Sequence, residues 1–570
     1  MAETRTIEGQ DVQGPARIQT TTSLEKFSDE KQIDLGTTEK DRGILVADTA
    51  KPVQNDIVYL QGLRFWVASA AVTVMLFIVN IDTSILTTTV GAITNDIGGF
   101  DMASWVLSSY MLGYVGVMFI FAKLSDIYGR KSLFLVSIAL FTTFSIGCGV
   151  SQTIIQLIVL RAFQGVGGDG CFALCTVLII ELIPPHKIAT FVAFAGIAIA
   201  LAMVLGPVIG GAISSTAQWR WIFFLNIPIG VVGFFLSVFG LPNGFPYHNT
   251  TELQTSSARP RSSLERIDLP GTLIILAATV LVSAGFQEAG SRYLWNSAYV
   301  IVLISLSVVL FVGLLLWERY VTLANGVREP ILPWRFFTDR VMAGILLGFT
   351  LVGGPMAVMI FQLPQRFQLI HGFSPLEAGA RIIPFGASVP CGTILAANIL
   401  SKTRLPAVYI ILAGAALQIV GFALLSVLPS TTEVPPGIYG YQVLSGIGCG
   451  ANYQTMYLTI AFVADHRDRA VGMGAADQVR TIGSVLSLSI VTSVFNGYVQ
   501  PLLAEIGISN SDVVANLAQQ RGRVTDQLRQ QTNQILGEGY NKQMLAMVGF
   551  STAQLLAVAL MWKRKQVTVS

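Results

Sequence analysis

The chain is 570 residues long, 52% hydrophobic and only 12% charged, with a formal net charge of +3. Soluble domains are about 25% charged, so a soluble globular protein is excluded. The near-balance of signs leaves no electrostatic footprint for a nucleic-acid partner.

Residues 1–64 hold 19 of the 69 charged side chains. Residues 1–60 are rich in Thr, Glu and Gln and are expected to form a disordered tail. No short apolar stretch of secretory-signal type occurs in the first thirty residues, so insertion is expected to start at the first membrane run. Crossing about 30 Å of hydrocarbon takes about 20 mostly apolar residues. Fourteen runs meet that length: 65–90, 103–123, 132–150, 153–182, 188–214, 221–242, 268–289, 296–317, 341–364, 375–399, 405–428, 436–463, 470–498 and 543–562. The fold class read from them is an all-α polytopic membrane protein with 14 transmembrane helices. The poorest fits are 375–399 and 470–498, which contain Arg381 and Arg480.

Lys and Arg set the orientation. With an even number of spans both termini lie on one face. Placing them in the cytoplasm puts eighteen Lys and Arg in the short inner joints and C-terminus, against Arg220, Arg292 and Arg366 in the short outer joints. All eight tryptophans lie at or near run ends, as an interfacial belt requires. The polar pieces are a Ser/Pro/Arg-rich inner linker at 243–267, a second inner linker at 318–340, an outer segment at 499–542 with helical spacing and many Gln, and a cytoplasmic C-terminus at 563–570. Asn249-Thr250-Thr251 is the single glycosylation sequon, and this topology puts it inside, unused.

Five cysteines sit inside apolar runs, without zinc or redox spacing, and four histidines lie at polar joints. A metal site is not expected. No Gly-rich Lys-Ser/Thr phosphate loop occurs, and no nucleophile–base pair is visible. The expectation is a protein that is not an enzyme and has no cofactor.

Three blocks stand out. The joint after the second run reads Ala122-Lys123-Leu124-Ser125-Asp126-Ile127-Tyr128-Gly129-Arg130-Lys131. Gly129 allows a tight turn between apposed helices. Asp126 can accept from helix N–H groups or pair with Arg130; the plainer alternative is a basic inner loop. The fourth run holds Leu160-Arg161-Ala162-Phe163-Gln164-Gly165-Val166-Gly167-Gly168-Asp169. A charge there is costly to insert, by about 2.5–3.5 kcal/mol, and should face a cavity or a partner. Arg161, Gly165 and Gly168 share one face, with Asp169 about 80° away and two turns on. The fifth run holds Gly206-Pro207-Val208-Ile209-Gly210-Gly211, a proline bend flanked by glycines for close packing, followed by Trp219-Arg220-Trp221-Ile222-Phe223-Phe224-Leu225-Asn226.

On these blocks the chain resembles the fourteen-span drug:proton antiporter branch of the major facilitator superfamily, over about residues 60–565, and within it fungal toxin and multidrug efflux pumps. The inner-loop pattern is matched except that Ala122 replaces its first glycine. The Gly206–Gly211 block resembles an antiporter motif, and the Trp219–Phe223 block that of the fourteen-span branch. Asn80-Ile81-Asp82-Thr83 resembles the family's intramembrane acid; Ser374-Pro375-x-x-Ala378-Gly379 and Gln478-x-Arg480-x-x-Gly483 resemble its tenth and thirteenth helices, with Ser484 where a second glycine is usual.

The resemblance implies two six-helix halves, helices 1–6 (residues 61–242) and 9–14 (341–562), rocking about a central site, with helices 7–8 (268–317) inserted. It places Asp82 beside Arg161, where protonation of Asp82 would release Arg161 and couple a proton gradient to transport; Asp169 is a further coupling candidate, and Asp169 and Asp477, which depart from the family pattern, are alternatively marks of substrate choice or satisfied polar groups. Asp126, Gly129, Arg130 and Lys131 are expected to latch the cytoplasmic ends of the halves. The substrate cavity is expected near midplane, with Phe361, Gln362, Gln365, Asn452, Tyr453, Gln454 and Asp477 as candidates. The implied activity is proton-coupled efflux of an amphipathic small molecule at the plasma membrane, by a monomer in the lipid bilayer. Storage or uptake of basic amino acids or iron chelates, at the vacuole or cell surface, and a non-transporting sensor are the alternatives.

Overall fold

The computed structural model describes residues 60–570 apart from 100–101, 116, 183–184, 216–217, 244, 246–266, 290–292, 325–327, 329, 404, 432, 465–468, 507–525, 564–565 and 567–570; the side chains of some further helical residues, Lys123 and Asp126 among them, also fall outside the description. The expected disordered tail, the body of the 243–267 linker and the Asn249 sequon therefore lie outside the described residues. What is described is helical, with one isolated bridge between Ala289 and Tyr293.

Among the described residues, eleven helices are long and apolar enough to cross a membrane. They coincide with eleven of the fourteen expected runs. The other three runs are helical but take different forms. The 103–123 run divides into Ala103–Tyr114 and Val117–Tyr128, because Val115 is extended, with φ −67° and ψ 119°. The 188–214 run lies in the Pro185–Ser215 helix, whose described apolar stretch is Leu201–Ser215. The 436–463 run is the Gly437–Val463 helix, diluted by Gly, Ser, Gln and Asn.

Caps explain several boundaries. Asp268 accepts from the Gly271 N–H at 3.0 Å, with Pro270 in the first turn, and so starts Leu269–Glu288. Ser374 and Glu377 form a reciprocal capping box on Pro375–Ala380. Arg469–Glu505 and Asp526–Met561 run into the 499–542 segment from either side, and 507–525 between them lies outside the described residues. At 1.5 Å per residue, helices of 37 and 36 residues are about 55 Å long, more than about 30 Å of hydrocarbon requires.

The helices gather into two groups. Gly62–Ile85 packs on Ile154–Leu182, Pro185–Ser215 and Asn226–Gly240; Arg340–Leu369 packs on Gly437–Val463, Arg469–Glu505 and Asp526–Met561. Small residues make the closest crossings possible. A Cβ on Gly165 would strike the Tyr110 carbonyl, and one on Gly483 the Thr350 carbonyl. At the end bearing Trp219 a single apolar core spans both groups, joining Ile85, Leu107 and Phe223 to Phe361, Phe385 and Leu488. Toward the end bearing Arg130 the cores separate. One is built around Phe134, Phe141 and Leu174 of the first group, the other around Phe349, Met456 and Ile460 of the second, with Val115 of the first group packed into it. Arg469–Glu505 also meets Val117–Tyr128 there.

Leu269–Glu288 packs on Ala298–Ala324 and on Arg469–Glu505. Ala298–Ala324 has only 17% of its apolar window buried, so it presents its aliphatic surface to lipid.

Candidate functional site

Asp82, on Gly62–Ile85, and Arg161, on Ile154–Leu182, form a sealed ion pair. Each side chain is 1% exposed, and Arg161 Nη1 lies 2.6 Å from Asp82 Oδ2. The other carboxylate oxygen accepts from Gln164 Nε2 at 3.0 Å and from Asn226 Nδ2 at 2.5 Å. Arg161 Nη1 also donates to Gln164 Oε1, and the Gln164 amide donates to Ser145. The guanidinium lies over the Tyr110 ring, 4.2 Å from its centroid. Both carboxylate oxygens are therefore occupied, which is what keeps a buried charge pair tolerable.

The Gly206–Gly211 block is where three helices converge. Side chains at Gly206 and Gly210 would collide with Ser84 and the Ile85 carbonyl of the Asp82 helix. Ser84 donates to the Ala202 carbonyl at 2.9 Å and Thr88 to the Pro207 carbonyl at 3.1 Å. Gly211 abuts Pro375 and Leu376, while Gly379 abuts the Pro207 carbonyl. The block thus fastens the Asp82 helix on one side and the second group on the other.

Gly129 turns the chain at φ 91°. Arg130 pairs with Glu181 at 2.7 Å and donates to Ser125 at 2.5 Å, while Lys131 donates to the Val238 carbonyl at 2.7 Å. These contacts brace the first helix group. The Asp126 side chain lies outside the described residues.

The expected cavity residues fall into three places. Phe361 is 2% exposed in the shared core. Gln362 and Gln365 line a pocket of about 80 Å³ at the Trp219 end, with Ser104, Thr492 and Gln543. Asn452 is buried and donates to Gln554 at 2.7 Å, and Gln454 is half-buried on the same helix. Tyr453 and Asp477 sit centrally. Tyr453 stacks on Tyr457 with centroids 5.8 Å apart. Asp477 pairs with Arg480 at 2.8 Å, and the Arg480 guanidinium lies 5.9 Å from the Tyr453 centroid. Asp169 shares no hydrogen bond with the Asp82–Arg161 pair. It is 2% exposed, its Oδ2 has no hydrogen-bond partner, and it feels the charges of Asp477 and Arg480 from across the two groups.

Sequence reasoning overlooked Gln164, Ser145, Asn226, Tyr110 and Glu181. Gln164 and Asn226 stand inside the quoted blocks, and a neutral amide in an apolar run is the signal that marks them. It also overlooked Asp96. That carboxylate accepts from Trp219 Nε1 at 2.9 Å and from Arg220 Nη1 at 2.7 Å. The Trp219 bond first, then the Arg220 bond and charge, hold it below the usual carboxylate range.

Residues 72–488 match the family described as Major Facilitator Superfamily. The chain is 32% identical to MFS-type transporter FPY5 of Fusarium mangiferae over 549 residues, covering 96% of this chain and 91% of that protein. It is 29% identical to MFS-type efflux pump LUC4 of Fusarium sp, covering 78% and 76%. Among solved structures, a bacterial homologue of the human lysosomal transporter Spinster superposes with a TM-score of 0.61 at 16% identity, covering 89% of this chain and all of that one.

Proposed function

The chain belongs to the major facilitator superfamily, and from that premise we propose that it is a proton-coupled exporter of an amphipathic small molecule that works by alternating access. That it is a membrane transporter and not an enzyme follows from the family and from its relatives. The observation that carries the coupling is the Asp82–Arg161 pair, two opposite charges sealed in apolar helices. Protonating Asp82 cancels the attraction and leaves Arg161 a buried lone cation, which must find water or a new partner. A proton thereby trades one packing for another, and alternating access needs such a two-state element.

The wider architecture supports the same reading. A core shared by both groups closes the Trp219 end, and the Gly206–Gly211 crossing ties the Asp82 helix to the second group. We assign the groups to 61–242 and 341–562, with fourteen spans, both termini in the cytoplasm and the plasma membrane as the site of action. Asn249 is then cytoplasmic and carries no glycan. Gel mobility before and after endoglycosidase checks this, and a glycan there overturns the topology.

Expression in a pump-deficient yeast tests the function. Cells loaded with fluorescent amphipathic compounds are followed with and without a proton uncoupler. Uncoupler-sensitive loss is expected from the wild type, with at least a tenfold drop in Asp82→Asn at equal surface abundance. Full uncoupler-sensitive efflux in Asp82→Asn removes the coupling role.

A further inference from the structure

The inserted hairpin ends in two arginines that the transport site does not use. Arg319 and Arg328 are exposed, and each guanidinium rests on an indole. Arg319 lies over Trp334, 5.6 Å from the ring centroid, and Arg328 over Trp317 at 6.0 Å. Both indoles are anchored. Trp317 Nε1 donates to Asp268 at 2.9 Å, and the Trp334 N–H donates to Thr322 Oγ1 at 3.0 Å. The carboxylates of this end are turned away from the two cations. Asp268 is buried against Trp317, Glu318 is fully buried, and Asp339 pairs with Lys563 at 3.3 Å. Among the described residues, neither guanidinium therefore has an acidic partner. The surface leading to Arg319 is apolar and bare. Val309, Val312, Leu316, Tyr320 and Leu323 are all exposed, and with Arg319 they share a sector of about 100° on the Ala298–Ala324 helix. Val309 and Arg319 are about 15 Å apart along the axis, half of about 30 Å of hydrocarbon.

We infer that this end of the hairpin binds one anionic phospholipid, its phosphate against Arg319 and Arg328 and an acyl chain along Leu316, Val312 and Val309. The stripe has the length of one leaflet, and its cation stands where the headgroup layer begins. Guanidinium groups hold phosphate with directed, charge-assisted bonds, and stacking on indoles holds them in place. Tyr320 links the two arginines, since its ring meets that of Trp317 with centroids 5.9 Å apart and it follows Arg319 in the chain. The site is also joined to the moving parts. The segment that carries Trp334 buries Ile331, Leu332 and Phe336 in one core with Leu314 of the hairpin and Val341 of the second group. A lipid held there bears on the second group as well as on the hairpin. The topology proposed above puts this end in the cytoplasmic leaflet; the binding itself depends on neither that orientation nor the transport reading.

Native mass spectrometry of the purified full-length chain, titrated with dioleoyl phosphatidylglycerol or dioleoyl phosphatidylcholine, tests this. The wild type is expected to keep one phosphatidylglycerol under activation that strips phosphatidylcholine. Each arginine near an anionic lipid surface contributes roughly fivefold in affinity. Arg319→Gln with Arg328→Gln should therefore weaken phosphatidylglycerol at least tenfold and leave phosphatidylcholine within twofold, the second lipid reporting that the variant is folded. Arg335→Gln with Arg340→Gln removes the same charge from two exposed arginines of the same end and should leave phosphatidylglycerol within twofold. Glycerol 1-phosphate, the headgroup fragment without acyl chains, should not displace the bound lipid at millimolar concentration. The inference is overturned if the wild type does not prefer phosphatidylglycerol, or if the two double variants lose it equally, which would make it a diffuse charge effect. Displacement by glycerol 1-phosphate would overturn it too, by making this a site for free phosphates. Loss of uncoupler-sensitive efflux in Asp82→Asn, or its persistence, leaves these outcomes untouched.

Discussion

Two charged clusters lie within a few helical turns of each other, and they are finished to different degrees. The Asp82 cluster is the more complete. Its carboxylate has a bond on each oxygen, its cation has an aromatic lid, and each charged side chain is 1% exposed, with Arg161 Nε the one atom left without a partner. Around Asp169 one carboxylate oxygen has no hydrogen-bond partner, and the Asp477–Arg480 pair of the second group is partly exposed. The first cluster lies wholly in one helix group.

The strongest way to break that comparison is to remove the two cations in turn. Arg161→Ala strands Asp82 without its partner, and breaking a buried pair costs about 3–5 kcal/mol. Arg480→Ala should cost less, because its side chain is 24% exposed, although the Asp477 it leaves behind is only 7% exposed. Thermal unfolding in nanodiscs, read by loss of monodispersity, measures both, and equal losses would erase the distinction. Next in size is Gln164→Leu, which takes a donor from Asp82 and a bond from Ser145. A destabilisation of about 1–3 kcal/mol is expected by the same measurement. Tyr110→Phe sharpens the contrast. It keeps the ring over Arg161 and deletes only the hydroxyl that touches Tyr114, so stability should hold while uncoupler-sensitive efflux falls a few-fold. Unchanged efflux would mean that the two clusters do not communicate through that contact.

Asp96 gives the smallest effect. Its bonds to Trp219 and Arg220 are half-exposed, with side chains 49% and 39% accessible in the ion pair, so Asp96→Asn should cost less than about 1 kcal/mol. Because folding lowers its pKa from the usual 3.8, its contribution is complete above that value and disappears as pH falls through the lowered one. The melting-temperature gap between wild type and variant should therefore be flat from pH 5 to 8 and close only in stronger acid.

Charges in apolar runs were legible because each departs from its surroundings. Asp82, Arg161, Asp169 and Arg480 could be marked from hydropathy alone. Their neutral partners could not, since an amide such as Asn226 barely dents the hydropathy of its run. Depth was harder still. Helical spacing gives the face on which Phe361 or Gln365 lies but not the level at which its helix crosses a neighbour, so the proposed cavity set scattered among a shared core, an end pocket and the centre. Arg130 was assigned to a latch because its block has a family role; its partner, Glu181, stands at the end of an apolar run where a lone carboxylate draws no notice. The division at Val115 left no trace either, because an average over twenty residues does not register one extended dihedral.

The Leu269–Glu288 helix holds one more consequence. Gln287 donates to Ser108 at 2.8 Å and to Ser489 at 3.1 Å, Ser283 meets Ser489 at 2.8 Å, and Ser493 donates to the Ala289 carbonyl at 2.7 Å. Ser108 belongs to the first helix group and Ser489 to the second, so a single glutamine is stitched to both. Parting the groups at that end means surrendering the Ser108 bond while the helix stays with the second group, with water arriving only after the gap exists. Such an arrangement governs tempo more than affinity. It makes the closed seal a state with a lifetime, and the length of that pause is written in a helix that touches neither the proton pair nor Asp169.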